Sequence, residues 1–199
     1  MILMPTSPLP KSATPMPVDH GGWQEPIAGG SLFRLDRMGN RFAIQITTPR
    51  LRPEPDGRIW VARLLAAIGQ AARVPFPQPG VLMGSPGTPV MDTGGQAGTT
   101  LKLRGYTAGE RIVEGRFFNV VDSTGMRYLH ATQGGDVIVG SDGKATLSIW
   151  PMLRVAVADG ASLIFDVPTI EGRLEGAAQG WTLARAGNQG LSFTITELR

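Results

Sequence analysis

Residues 115–131 read Gly-Arg-Phe-Phe-Asn-Val-Val-Asp-Ser-Thr-Gly-Met-Arg-Tyr-Leu-His-Ala. Gly115 to Val121 is rich in the β-branched and aromatic residues that suit a pleated, half-buried strand. Asp122-Ser123-Thr124-Gly125 then supplies the small, polar residues of a tight turn, and Met126 to Ala131 returns. His130 alternates in phase with Met126 and Tyr128, as an ordinary strand residue does.

The same grammar continues on both sides of this hairpin. Leu101 and Leu103 alternate with Lys102 and Arg104. Asp136 to Gly140 and Lys144 to Trp150 flank a tight turn at Ser141-Asp142-Gly143. Pro151 is expected to stop that strand. Asp159-Gly160 forms another turn before Leu163 to Val167. Ile170 to Glu175, Trp181 to Arg185 and Leu191 to Thr196 are the last candidate strands, and in the final one Leu191, Phe193 and Ile195 share a face. Turn signals at roughly 8–12-residue spacing predict a sandwich or barrel, so residues 99–199 read as a β meander completing a β domain.

Upstream, Arg41 to Thr48 alternates strictly, with Phe42, Ile44 and Ile46 on one face, and residues 31–48 read as a hairpin around Met38-Gly39-Asn40. A polar connector leads to Asp56, a candidate N-cap for a helix over 58–73. Trp60, Leu64 and Ile68 recur at i, i+4 and i+8 and mark its packing face. Val74-Pro75 ends the helix, because the residue before proline avoids helical angles. Residues 75–98 form a Pro/Gly loop in which Val81 to Met83 and Pro89 to Met91 are short strand candidates. Residues 1–30 carry Pro5, Pro8, Pro10, Pro15, Pro17 and Pro26 and read as an extended Pro-rich arm, with Trp23 and Ile27 as its anchors. The fold class is therefore mainly β: a sandwich or barrel-like domain with a single packed helix and an extended N-terminal arm.

Composition agrees with a globular, turn-rich chain. Of 199 residues, 42% are hydrophobic and 18% charged, enough apolar content to build a core without staples. Glycine (27) and proline (16) punctuate it into short elements. Cysteine is absent, which excludes disulfides, thiolate nucleophiles and Cys metal sites. The net charge of +3 is spread thinly and does not make a nucleic-acid patch. Residues 1–18 lack the basic and apolar regions of a signal peptide, and no stretch approaches a membrane helix, so cytoplasmic synthesis is the expectation.

Catalytic patterns are not apparent. The two histidines, His20 and His130, have no ligand spacing and no nucleophile elbow to serve. Glu110 and Glu114, and Glu171 and Glu175, are spaced by four in β-like surroundings and read as surface charges. Gly140 to Lys144 fails the phosphate-loop spacing, with Ile138 and Ala145 at required positions, and reads as a hairpin turn. The tryptophans at 23, 60, 150 and 181 form no periodic stacking platform. No enzyme activity, cofactor or metal is expected.

One pattern is specific. The strand 115–121 is followed by Tyr128, then by Ala145-Thr-Leu-Ser-Ile-Trp-Pro-Met-Leu-Arg154, the turn at Gly160, and Leu163-Ile-Phe-Asp-Val-Pro168. This resembles the tail genes of long-tailed phages, where a strand precedes a proline-containing run ending in Leu-Arg, then Asp-Gly, then proline. Here Trp150-Pro151-Met152 stands where those proteins carry a double proline, and Arg116 where they carry an acid. The resemblance covers about 31–175 and points to a distal tail protein of the siphophage type. It implies a virion subunit that forms a ring, typically hexameric, between tail tube and hub, with a channel for DNA ejection. Its partners would be copies of itself and the tube and hub proteins, with passing DNA but no specific nucleic-acid contact and no membrane. Pro151, Leu153, Arg154, Gly160 and Pro168 are the matching positions. Their implied roles are structural: Leu153 in the core, and Arg154 on an acid or carbonyl of this subunit or the next. The N-terminal arm is expected to cross a boundary between subunits or rings. A tail-tube or tail-terminator subunit, and a carbohydrate- or receptor-binding module, are the alternatives.

Overall fold

The computed structural model describes residues 1–82, 84–175 and 190–198. The candidate strand Trp181 to Arg185 lies outside them. The described chain is mainly β, with one packed helix. Its strands are β1 (Ile2–Leu3), β2 (Ser12–Val18), β3 (Gly22–Gln24), β4 (Phe33–Leu35), β5 (Arg41–Thr47), β6 (Ala72–Pro75), β7 (Gly87–Met91), β8 (Gly98–Tyr106), β9 (Arg111–Ile112), β10 (Phe117–Val121), β11 (Arg127–Gln133), β12 (Val137–Ile138), β13 (Ala145–Leu153), β14 (Leu163–Ile164), β15 (Thr169–Glu175) and β16 (Ser192–Glu197), with helix α1 (Arg58–Ile68) between β5 and β6.

The hairpin read from residues 115–131 is the centre of a six-stranded sheet, in the order β14-β10-β11-β13-β8-β7. Phe118 faces His130 and Val120 faces Tyr128 across β10 and β11. The sheet curls until its two edges nearly meet. Val90 bridges to Ser162, the Met91 amide donates to Ala161 O at 2.9 Å, and the Gly160 amide donates to Met91 O at 3.1 Å. Gly160 makes this turn at φ 76°, a left-handed angle that a side chain resists. Inside the resulting barrel sit Phe118, Leu101, Leu103, Leu147, Ile149 and Phe165, with Phe118 and Phe165 stacked at 4.5 Å.

A second six-stranded sheet has the order β1-β6-β15-β16-β5-β2. The alternation of β5 puts Phe42, Ile44 and Ile46 into its core, where β16 adds Phe193 and Ile195 in register. Helix α1 covers part of this core with Trp60, Leu64 and Ala67, the Trp60 ring 6.0 Å from Phe193. The outer wall of the barrel covers another part through Phe117, Leu129, Ala131 and Trp150. Phe42 meets the Trp150 ring edge-on at 4.7 Å and the Phe117 ring at 5.4 Å. Gly172 on β15 pairs with Glu197 on β16, and a Cβ there would collide with Thr196 O, so the close approach of these strands requires glycine.

The N-terminal arm is extended, but it folds onto its own subunit. β1 pairs in parallel with β6 at one edge of the second sheet, and β2 pairs with β5 at the other. Residues 2–18 thus guard both edges, the usual route to unwanted strand addition. Pro15 and Pro17 occupy alternate positions of β2, which has a partner on one side only, and proline is at home on the free side of an edge strand.

Several expectations are corrected. Residues 31–48 do not form a hairpin: β4 pairs back to β3, while β5 sits between β2 and β16. The helix ends at Ile68 rather than 73, because Ala72 to Pro75 is recruited as strand β6. Its first turn has no side-chain cap; Gly57 is the N-cap after an irregular π-type turn over Pro53–Gly57, so Asp56 does not play that part. Ile68 is 66% exposed, and Ala67 takes the third place in the packing face beside Trp60 and Leu64. Pro151 does not stop β13, which runs on to Leu153. The ladder to β8 shifts register between Ser148 and Leu153, and proline fits at such an irregularity because no ladder bond is asked of it there. Val81 and Leu82 form no strand, and Met83 lies outside the described residues. The barrel is built from residues 87–164, and the second sheet from residues before and after it.

Burial decides the energetic weight of the helix. Trp60→Ala is expected to cost about 3–5 kcal/mol of unfolding free energy, and Ile68→Ala about 0.5 kcal/mol or less. Urea titration of each variant measures both.

Candidate functional site

Of the positions singled out in the sequence, Pro151, Arg154 and Pro168 lie where the barrel meets the sheet, while Gly160 closes the barrel seam. Leu153 is buried in the barrel core. Arg154 follows it out of β13, and its side chain is only 3% exposed. Its Nη2 donates to Glu197 Oε1 at 2.9 Å, and its guanidinium lies 5.3 Å from the Tyr128 ring centroid. The acid is in the same subunit. Glu197 continues the alternation of Phe193 and Ile195 along β16, so a carboxylate arrives on an apolar face. It also accepts the Phe42 amide at 2.8 Å and the Leu129 amide at 2.9 Å. Phe42 belongs to the sheet, and Leu129 and Arg154 to the barrel side, so one carboxylate joins both layers.

His130 lies beside this pair, 1% exposed, with Nδ1 2.8 Å from Pro151 O. A carbonyl only accepts, so Nδ1 carries a proton and donates it to Pro151 O. Burial, reinforced by the Arg154 charge, pushes the imidazole down to about 3. Burial raises the Glu197 carboxyl, while Arg154 and the two amides oppose that rise. The role of Pro151 in this site is its carbonyl, which holds the imidazole.

A second buried carboxylate, Glu171, corrects the expectation of a surface charge. Its side chain is 1% exposed, forms an ion pair with Arg73 and accepts the Arg127 amide at 3.0 Å. Glu175, half-buried, lies near the end of the described part of β15. Pro168 is buried at the neck between barrel and sheet, where its carbonyl accepts the Phe76 amide at 2.8 Å. Two side-chain amides grip backbone around this neck. Asn119 accepts the Thr169 amide at 2.6 Å and donates to Thr169 O at 2.8 Å. Gln78 does the same for Phe117, at 2.8 Å and 3.2 Å. Each supplies one donor and one acceptor to backbone where the strand ladder ends.

The outer surface carries the other candidate residues. The β3–β4 hairpin stands apart from both large sheets. Trp23 is 65% exposed and Ile27 fully exposed, so neither anchors the arm on its own subunit. Leu32, Phe33, Leu35 and Met38 are exposed on the same segment. Arg34 lies 5.7 Å from the Trp23 ring and pairs with Asp19 and Asp36, both at 2.7 Å. A groove of about 640 Å³ lies at the opposite end of β2, floored by Phe76 and Phe117 and walled by Leu9, Ala13, Pro79 and Val81. Among the described residues, no cluster of three or more His, Asp or Glu side chains could hold a metal ion. No helix of the described chain is long and apolar enough to cross a membrane. The sequence matches no protein-family model and no curated protein.

The reading of single residues missed Glu197, although Leu191, Phe193, Ile195 and Glu197 share one strict period of two. An acid in phase with three core residues was the available signal. Glu171 had a weaker one, beside Ile170 in a strand buried on both faces.

Removing the Glu197 carboxylate strands Arg154 and two amides. Glu197→Ala is expected to cost about 3–5 kcal/mol, with strong non-additivity against Arg154→Ala in a double-mutant cycle read by chemical denaturation. The histidine adds a pH dependence. An imidazole held near 3 when folded, against 6.5 ordinarily, takes up its proton first in the unfolded chain. Its stabilisation is therefore complete above pH 6.5 and is lost as pH falls from there toward 3. The slope of stability against pH in that window should be shallower in His130→Gln than in the parent, whatever the absolute stability of the variant. Glu197 is common to both proteins and cancels from the comparison.

Proposed function

We propose that this chain is a structural virion subunit of a phage tail tip, a distal-tail-type ring component joining the tube to the hub, with a channel through which DNA passes. The observation that carries this reading is the apolar β3–β4 hairpin, a sheet separate from the two large ones, with Arg34 paired to Asp19 and Asp36. A segment of this kind needs a protein neighbour to cover it. The resemblance over 115–168 adds the tail-tip context. Its matched residues, Pro151, Leu153, Arg154, Gly160 and Pro168, serve the join between two β layers and the closure of the barrel, which suits a subunit that bears load.

A carbohydrate-binding module would use an exposed aromatic face to stack on sugar. The most exposed tryptophan among the described residues, Trp23, already has the Arg34 guanidinium over its ring, which favours the assembly reading. Tube and terminator subunits share the same demand for a neighbour and differ in their place along the tail.

Electron microscopy of the purified full chain, together with antibody labelling of the parent particle, tests the proposal. Closed rings with an open centre, and label confined to the junction of tube and tip, are expected. A chain that stays monomeric at high concentration and labels no particle would overturn it. Label along the tube or at its head-proximal end would transfer the assignment to a tube or terminator subunit.

A further inference from the structure

The protruding hairpin and the apolar groove lie at opposite ends of one strand. The groove is lined by Leu9 to Ala13 and Pro15, at the start of β2, and the hairpin begins at Gly22, just past its end. β2 spans Ser12–Val18, about 20 Å at the usual rise of ~3.3 Å per residue, and no hairpin residue lines the groove of its own subunit. We infer that the β3–β4 hairpin of one copy docks in the groove of the next copy of this chain, with Trp23 and Ile27 as the inserted side chains. The inference rests on the ring reading above and names the contact that would build the ring.

Three observations select a second copy as the occupant. The first is size. A standard interface covers about 800 Å² on each partner. Trp23, Ile27, Leu32, Phe33, Leu35 and Met38, all between 39% and 108% exposed within one short segment, supply the apolar centre of such a surface. The groove, at about 640 Å³, has the capacity of a typical small-molecule pocket and takes an indole with a branched aliphatic chain.

The second is charge. Arg34 is paired with Asp19 and Asp36, so covering it does not strand its charge. Lys11 lines the groove, and Glu25 sits between Trp23 and Ile27 in sequence, so insertion brings opposite charges together.

The third is polarity. Two different patches at opposite ends of one strand make a head-to-tail contact, which generates a ring where the rotation closes. Two hairpins meeting face to face would stop at a dimer. Pro15 and Pro17 disfavour the competing route, strand addition along β2.

Light scattering on the full chain after size-exclusion chromatography tests this with two separated variants. Trp23→Asp/Ile27→Asp removes the insert and Val81→Arg fills the groove. Both change exposed or half-buried positions, and circular dichroism checks that each stays folded. Each variant alone should be monomeric at concentrations where the parent assembles. Mixed one to one they retain a single good hairpin and a single good groove, and should form a 1:1 heterodimer that grows no further. Glu25→Lys should weaken assembly at least tenfold, and Lys11→Glu added to it should restore it. If the parent forms rings and Val81→Arg still does, the docking inference falls while the ring reading stands. If only the hairpin variant disrupts assembly, the contact is hairpin to hairpin and the inference falls. A monomeric parent overturns both.

Discussion

A carboxylate carried into an apolar layer must find donors or give up its charge, and Glu197 finds three. The amide of Phe42 comes from the sheet, the amide of Leu129 from the barrel wall, and the guanidinium of Arg154 from the end of β13. Apolar packing brings the two layers together but is indifferent to small slips, since Phe42 could meet Trp150 or Phe117 in many poses. The ionic cluster is not indifferent. Shifting either layer by a residue would leave a buried charge and two amides unmatched, at several kcal/mol. The fold's relative placement of sheet and barrel therefore depends on one side chain near the end of the described chain.

The surrounding polar groups follow the same logic. His130 is kept neutral and turned toward Pro151 O, so the space beside Arg154 holds no second cation. Glu171 repeats the scheme on the neighbouring strand with Arg73 and Arg127. Asn119 and Gln78 imitate strand partners where the ladders end. These groups are consumed in holding the layers, whereas Arg34, Asp19 and Asp36 of the protruding segment pair with one another. Among the described residues, exposed apolar surface gathers on the β3–β4 segment and in the groove at the start of β2.

Period-two alternation made the barrel strands legible, because each has one face in a core and one outside. The 115–131 hairpin was readable for that reason, the Trp60–Leu64 stripe from its helical spacing, and the turn at Gly160 from Asp-Gly. Pairing partners were not. β4 and β5 are adjacent in sequence but belong to different sheets, since β3 and β2 compete for them and both lie in a segment whose prolines read as free arm. Proline content signals the absence of donors, which an edge strand tolerates on one side, so composition alone cannot tell an arm from an edge. Ala72 and Arg73 of β6 were assigned to the helix because Ala72 extends the helical stripe as well as a strand. Of the surface, Trp23 and Ile27 were singled out by hydrophobicity, but the groove exists only through the meeting of residues 9–15, 76–81 and 115–117, which no local pattern announces.

Pro75 and Thr169 are paired neighbours on β6 and β15, so the chain leaves the sheet and returns to it through a single doorway, ninety-odd residues apart. On a ribosome this orders events in time. The whole barrel emerges before β15 and β16 exist, and can close around its own interior while β5 waits for its central partner. The N-terminal strands meet their partners early, β2 on β5 and β1 on β6, but the two halves of the sheet stay apart until β15 and β16 join them. A nascent chain of this design has an early-made middle and a late-finished frame, and the arrival of β16 decides when the frame locks.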